Sequence, residues 1–583
     1  MLKMRAQLLY NGYSLLNTEI IMLASKRAWS FFSLVKFGFH LCTISLITKI
    51  SSPSYAYIGP KAFFMHLPAT LFLSLILFSC QNIEVKETQK PNIIFISVDD
   101  LRPDLGAYGN PHIKTPNIDA FAEEALLLEN AYCQAAVCAP SRASLMQGIR
   151  PDSTKVWHLG DEFRKINPNA VTMPQYFHNY GYYTVNIGKI FHNYMPDSVS
   201  WDEPDLKPAP FNGPDSHLRD AETYYHTEDA QKIQLERRKE ILARWPEGRK
   251  VYADGWYSGP AYEVVDLPDS MLYDGLQTKL ALQTLKRLKE KEQPIFLGLG
   301  YFRPHLPFVA PKKYWDMYPA GSLPPAVNPF LPKNAPPMAA NASYELRNYA
   351  GFRNLPRPEG APLAADSADI LKRGYYACVS YVDACIGELV AGLKELGIYD
   401  NSIIVIWGDH GWKLGEHNGW GKQTNFNIDT KVPLLIKYPG QKQGLKSPAL
   451  VELVDMFPTL CDLADVPKAG YFQGISMQPL FENPNREWKS AVFSQFRRRP
   501  RISYDGKEYM GYAMQTERYR YIEWYTWDNE NKIRGELKAR ELYDHFQDPD
   551  ENINRAEEDE NKALVESLSK KLAQGWRAAV PTP

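Results

Sequence analysis

The sequence is poor in cysteine, shows no surplus of either charge, and its N-terminal apolar runs are too short or too broken to span a bilayer comfortably. Each absence removes a class of function. Seven cysteines in 583 residues do not make a disulfide scaffold. Cys378 and Cys385 fall seven apart in a predicted helix, about 10 Å at the usual rise, too far to bridge each other. Cys133 and Cys461 read as buried apolar side chains rather than a pair. Lys and Arg number 66 against 67 Asp and Glu, a net charge of −1, so nothing suggests binding to nucleic acid through a basic surface. No internal repeat is present. The composition that remains, 44% apolar and 23% charged, is that of an ordinary globular protein with room for a large domain and a smaller one.

Residues 1–80 differ from the rest. "MHLPATLFLSLILFSC" places a short apolar run at 71–78, after Lys61 and before Cys80, and polar "QNIEVKETQK" follows. This resembles a bacterial lipoprotein signal with Leu77-Phe78-Ser79-Cys80 as the lipobox, cleaved before Cys80 and lipidated on it. A second apolar patch at 28–48 is broken by Lys36 and His40 and is not a span. The expectation is an exported bacterial lipoprotein, in the periplasm or attached to the outer membrane, held to the membrane by the lipid anchor only. Residues 1–60 precede the signal and are set aside in reasoning about the fold.

From residue 91 the chain alternates apolar strands with amphipathic helices. "NIIFISV" (92–98), "YYTVNIG" (182–188), "PIFLGLGYF" (294–302) and "SIIVIWG" (402–408) are buried-strand candidates; helices are predicted near 117–130 and over 368–397. Continuous apolar strands between helices predict an α/β fold with a large, mostly parallel sheet sandwiched by helices. Pro-rich 320–339 and 354–364 predict surface loops, and polar 215–260 an insertion. "YMGYAMQTERYRYIEWYTW" (509–527) predicts antiparallel strands, with a closing helix at 561–577. The expected division is a catalytic domain at 91–470 and a smaller C-terminal α+β subdomain at 471–583, built on an antiparallel sheet.

In open parallel sheets, ligand sites form at the carboxyl ends of the strands. Those ends carry Asp99 and Asp100; Lys189 and His192; His305; and Asp409 and His410, with Lys422 shortly after. Singly, each has a plain reading as a helix cap, a structural turn histidine or a solvated lysine. Four strands delivering ionisable groups to one edge argue for an active site. Adjacent carboxylates repel unless a cation sits between them, and their oxygens suit a hard divalent ion such as Ca²⁺ or Mg²⁺. Beside such an ion, "VCAPSRAS" (137–144) is informative, because the thiol of Cys138 is a poor ligand for a hard cation. A cysteine oxidised to an aldehyde and hydrated presents oxygens instead. It would sit near the start of a helix from Pro140, with Arg142 adding positive charge.

The motif C-x-P-x-R alone arises by chance in roughly a few per cent of chains this long. Here "NIIFISVDDLRPDLGAYG", "TPNIDAFAEEALLLENAYCQAAVCAPSRASLMQGIRP", "GKIFH", "PHLPF" and "GDHGWKLGEHNGWGK" accompany it in order. Together they resemble the type I sulfatases of the alkaline phosphatase superfamily. Asp-His at 409–410, "YFQGISMQPLFENP" and "ELYDHFQDPDENIN" resemble the iduronate-2-sulfatase-like branch, and the likeness spans about 91–560. It implies that a separate maturation enzyme converts Cys138 to formylglycine. It also implies that Asp99, Asp100, Asp409 and His410, with the modified residue 138, hold one Ca²⁺. By the same resemblance Arg142 and Lys189 hold the aldehyde hydrate, one of whose hydroxyls attacks the sulfur. His305 protonates the leaving sugar oxygen, His192 takes the proton of the second hydroxyl, and Lys189 and Lys422 neutralise the sulfate oxygens. Gln147 stands where the family usually has Thr, a position read as supporting the turn.

Two other readings compete. A phosphodiesterase of the same superfamily needs a second metal set and a Ser or Thr nucleophile, which the strand ends do not supply. A non-catalytic glycan-binding lipoprotein should have lost the nucleophile or the carboxylates, and none is missing. The implied substrate is a sulfated polysaccharide or its oligosaccharides, either 2-O-sulfated uronate or algal chains such as ulvan. The basic run 497–501 is expected at the rim, facing that anionic chain.

Overall fold

NIIFISV forms β1 (Asn92–Val98), and six of its seven residues are buried. Burial on both faces is what a strand inside a helix-covered sheet requires. The computed structural model describes residues 90–192, 195–209, 225–244, 259–441, 443–499 and 505–581; the signal-like segment with Cys80 and residues 500–501 of the basic run lie outside these. After β1 come α1 (Pro116–Ala122), β2 (Leu126–Tyr132), α2 (Cys138–Gln147), β3 (Tyr183–Gly188), α3 (Tyr273–Leu288), β4 (Ile295–Tyr301), α4 (Ala365–Glu395), β5 (Ser402–Gly408), β6 (Leu434–Lys437) and β7 (Leu445–Glu452). The helix predicted near 117–130 is thus cut at Ala122. Its second half is a strand, because LLLENAY is drawn into the sheet between β6 and β7, and tertiary pairing overrides the helix propensity of Leu and Glu.

The main sheet has eight strands, in the order β2-β6-β5-β1-β4-β3, with β7 and the two-residue strand Lys431–Val432 both on β2. β5, β1, β4 and β3 run parallel; β6 is antiparallel to both β5 and β2, so the sheet is mixed and β2 points the same way as β1. Val98 is level with Tyr301 on one side and Gly408 on the other. That register puts the carboxyl ends of three strands in one row.

Alternation along β1 sorts its side chains onto two faces. Ile94, Ile96 and Val98 enter a core with Leu371, Tyr375 and Ile386 of α4; Ile93 and Phe95 enter another with Leu145 and Met146 of α2. Each such side chain contributes roughly 1.5–3 kcal/mol through burial. Helix α4 is long and apolar enough to cross a membrane by length and composition, yet its apolar side chains pack in this core. Cys133 and Cys461 are free thiols in the second core, and Cys378 and Cys385 are free and buried in α4, as expected.

The C-terminal sheet contains β8 (Val492–Arg498), β9 (Tyr509–Gln515), β10 (Tyr519–Asp528) and β11 (Ile533–Asp544), antiparallel throughout, with α5 (Lys562–Gln574) packed on it through Val565 and Leu568. Part of the basic run corrects its sequence reading. Arg498 is fully buried and donates to the carbonyls of Met338 and Gln423, at 2.9 and 3.1 Å, while Arg497 pairs with Glu508. These two arginines, on opposite faces of β8, pair with the protein's own groups instead of lining a rim.

Candidate active site

The strands position the site directly. Asp99 and Asp100 leave the end of β1, Lys189 the end of β3, and Asp409 and His410 the end of β5, while His305 sits in the loop after β4. Cys138 opens α2 beyond the end of β2. The helix starts at Cys138, two residues before the expected Pro140, and all ten of its residues are buried. Two glycines let Lys189 approach. Gly188 has φ +76°, and a Cβ on Gly300 would lie 2.1 Å from the Lys189 carbonyl oxygen. Asp100 takes a left-handed φ of 60°, a strained conformation for a non-glycine residue, and the Tyr375 hydroxyl donates to its carbonyl at 2.8 Å.

Asp99, Asp100, Cys138, Arg142, Lys189, His305, Asp409, His410 and Lys422 form one contact network. Arg142 is its hub, donating to Asp99 Oδ1 at 2.9 Å, Asp409 Oδ2 at 3.0 Å, Ser97 Oγ at 2.8 Å and the Lys189 carbonyl at 2.5 Å. Lys189 Nζ reaches Asp99 Oδ2 at 2.5 Å, and Lys422 Nζ reaches Asp100 Oδ1 at 2.5 Å. The Cys138 Sγ lies 3.2 Å from His410 Nε2 and 3.4 Å from Lys422 Nζ. His305 Nε2 stands 4.0 Å from Asp99 and 3.9 Å from Asp100. His192 is at the edge, sharing a small cavity with Arg142, Asp161 and Phe191.

The electrostatics follow from this crowding. Burial alone raises a carboxyl, but Lys189, His305 and Arg142 hold Asp99 well below the usual carboxylate range. Asp100 moves the other way: burial and the neighbouring Asp99 outweigh Lys422. Burial and Asp99 push the Cys138 thiol far up. Burial opposes the charge on His305, yet Asp100 and Glu345 raise it to about 9. Burial and Lys189 depress His192.

The donor set fits a divalent cation. Asp100 Oδ2 is buried with no hydrogen-bond partner, a costly state for a carboxylate oxygen. Three overlapping groups among the described residues bring their ligand atoms within 4.8 Å of one another: Asp100, Cys138 and His410; Asp99, Cys138 and Asp409; and Asp99, Asp100 and His305. Each group contains at least one carboxylate, the oxygen donor a hard cation prefers.

Sequence reasoning missed Ser97, Tyr375 and Glu345. Ser97 was visible as the one hydroxyl in an apolar strand. Tyr375 reads as a core aromatic of α4, and Glu345 lies in an aperiodic loop where no pattern marks it.

Comparison with known proteins bears on this arrangement. A family model described as sulfatase matches residues 91–466, and one described as N-sulphoglucosamine sulphohydrolase, C-terminal, matches residues 415–577. The chain is 32% identical over 569 residues to human (Homo sapiens) iduronate 2-sulfatase, covering 85% of this chain and 98% of that protein. It is 30% identical over 513 residues to a sulfatase of Formosa agariphila, covering 85% of this chain and 90% of that protein. A solved structure in complex with its substrate D-glucosamine-2-N,6-O-disulfate superposes with a TM-score of 0.61 at 22% identity, covering 83% of this chain and 99% of that one.

Proposed function

The chain belongs to the sulfatase family and is a sulfuric ester hydrolase, and from that premise we propose that it removes sulfate from a sulfated glycan through a formylglycine made from Cys138 and one bound calcium ion. The observation that carries this reading is the buried Cys138, set at a helix start among Asp99, Asp100, Asp409, His410 and Lys422. Its Sγ stands in for an oxygen of the hydrated aldehyde. Asp99, Asp100, Asp409 and His410 would hold the cation. When present, the cation and the aldehyde hydrate supply a polarised oxygen nucleophile aimed at sulfur.

The remaining chemistry falls to the chain's own side chains. Lys422 and Lys189 offset the negative charge of the sulfate oxygens, in a site dry enough for fixed charges to act strongly. Arg142 keeps Asp99 and Asp409 apart and in register. His305 is placed to give its Nε2 proton to the sugar oxygen as the S–O bond breaks, with the electron pair staying on that oxygen. His192, its charged form disfavoured by burial and by Lys189, is the proton acceptor, beside Arg142.

The likeness to iduronate 2-sulfatase favours 2-O-sulfated uronate, and algal polysaccharides are the alternative. Sulfate release by matured protein with Ca²⁺ should be measured on 2-O-sulfated uronate disaccharides from heparan and dermatan, and in parallel on ulvan, carrageenan and fucan oligosaccharides, with Cys138→Ala as the blank. Turnover confined to the first set supports the uronate assignment. Turnover only on algal chains keeps the mechanism and discards that assignment.

A further inference from the structure

Asp99 and Asp100 follow one another out of β1, yet both carboxylates turn to the same place, 4.0 and 3.9 Å from His305 Nε2. Consecutive residues of an extended chain point to opposite faces. Ser97 and Asp99 obey this rule, since Arg142 donates to both from one side of the sheet. Val98 points the other way, into the core with α4, and an extended Asp100 would follow it there. The left-handed φ of 60° at Asp100 breaks the alternation and brings its carboxylate round to that of Asp99.

Such a conformation is strained for a residue with a Cβ, so surrounding contacts must hold it. One hydroxyl does so from the core. Tyr375 Oη donates to the Asp100 carbonyl at 2.8 Å and accepts the Arg102 N–H at 3.0 Å, bridging the backbone across Leu101. Its ring is buried in α4 and meets Phe308 edge-on, with centroids 5.9 Å apart. Beyond the bridge, the Arg102 guanidinium pairs with Asp104 at 2.7 Å and Glu416 at 2.9 Å. On the other side of the turn, the Asp100 N–H donates to Asp409 Oδ1 at 3.0 Å. Both peptide groups flanking the Asp100 Cα are therefore fastened, one to a carboxylate of the site and one to the tyrosine.

We propose that Tyr375 is a positioning residue for the cation, its hydroxyl locking the turn that aims the Asp100 carboxylate into the ligand set. This rests on reading Asp99, Asp100, Asp409 and His410 as holding Ca²⁺. The competing account makes the Tyr375 hydroxyl an ordinary hydrogen-bonding group of the core, whose loss costs stability and leaves the cation untouched.

A matched tyrosine separates the two. Tyr381 lies on the same helix and is also buried. Its hydroxyl likewise joins two backbone groups, accepting the Gly275 N–H at 2.7 Å and donating to the Asp269 carbonyl at 3.3 Å. Tyr375→Phe and Tyr381→Phe each remove one oxygen. Calorimetric titration gives the Ca²⁺ Kd of the matured parent and of both variants, and melting temperatures are recorded in chelator. Both variants should melt below the parent. Only Tyr375→Phe should raise Kd, by about 10-fold, the low end of what losing a residue that orients a metal ligand costs. An unchanged Kd in Tyr375→Phe, or equal rises in both variants, overturns the proposal. So does a Tyr375→Phe chain that fails to fold where Tyr381→Phe folds. A matured parent that binds no Ca²⁺ overturns instead the calcium reading beneath it.

Discussion

At position 138 the thiol is 1% exposed, and burial and Asp99 keep it protonated far above the usual range. A thiol in that state is neither a nucleophile nor a ligand for a hard cation. Three carboxylates then surround a weak donor that reaches only Asp100 Oδ1, at 4.0 Å, and the proposed conversion to an aldehyde hydrate would resolve the mismatch. Serine does not, because a serine sulfate has no second hydroxyl to drive its own cleavage. Cys138→Ser should keep the parent melting temperature, release at most one equivalent of desulfated sugar per chain and no free sulfate, measured by ion chromatography over many turnover times; continued release of either contradicts the need for the aldehyde. At Asp409, replacement by Ala should remove metal and turnover together. Calorimetric titration with Ca²⁺ checks the first and sulfate release the second, and retained metal binding removes Asp409 from the ligand set.

The element scale explains what could be read before the structure. Four strand ends were legible because a parallel sheet must send its loops to one edge, and the register of β1 with β4 and β5 delivers Asp99 and Asp409 side by side. Helix α1 was overdrawn because propensity cannot see that β2 would find partners. Glu345 was illegible for a related reason: an aperiodic loop has no pattern, and its place depends on hydrogen bonds to residues about 80 positions away, from Asn341 to Lys422 and from Trp420 to Ser343. Elements are also where charge sustains the fold. Glu452, at the end of β7, accepts both guanidinium nitrogens of Arg150 at 2.7 and 2.6 Å and Lys489 Nζ at 2.7 Å. Burial raises its carboxyl, but Arg150 and Lys489 lower it from 4.5 to about 2. The unfolded chain therefore binds more protons in that interval, so the stabilisation is whole above about 4.5 and is lost as pH falls toward 2. Glu452→Gln should flatten the fall of melting temperature with pH across this window; an unchanged slope places the acid sensitivity elsewhere.

Across the whole molecule, the two sheets share their fastenings. Arg498 of β8 reaches the loop carbonyls of Met338 and Gln423, and Arg520 of β10 donates to the Asn425 carbonyl at 2.8 Å and pairs with Glu551 at 2.9 Å. Gln423 and Asn425 lie one and three residues after Lys422 in the chain, so the smaller sheet props the loop that carries this cation. The division expected at residue 470 therefore runs between parts that share these hydrogen bonds. A chain ending at 470 should be recovered insoluble or without a cooperative thermal transition, since it exposes loop carbonyls that Arg498 and Arg520 satisfy; a soluble fragment with full calcium binding contradicts this. Export and anchoring through Cys80 remain our proposal for the segment before residue 90, and metabolic palmitate labelling should be present in the parent and absent in Cys80→Ser.

The central claim is that oxidised residue 138 carries the reaction. Protein prepared with graded amounts of maturation enzyme yields samples differing in the aldehyde fraction of the Cys138 peptide, read by mass spectrometry. Their sulfate release on the same sugar sulfate should rise in proportion to that fraction and pass through zero where only thiol remains. Turnover that is independent of the fraction, or full activity in the thiol form, would contradict the account.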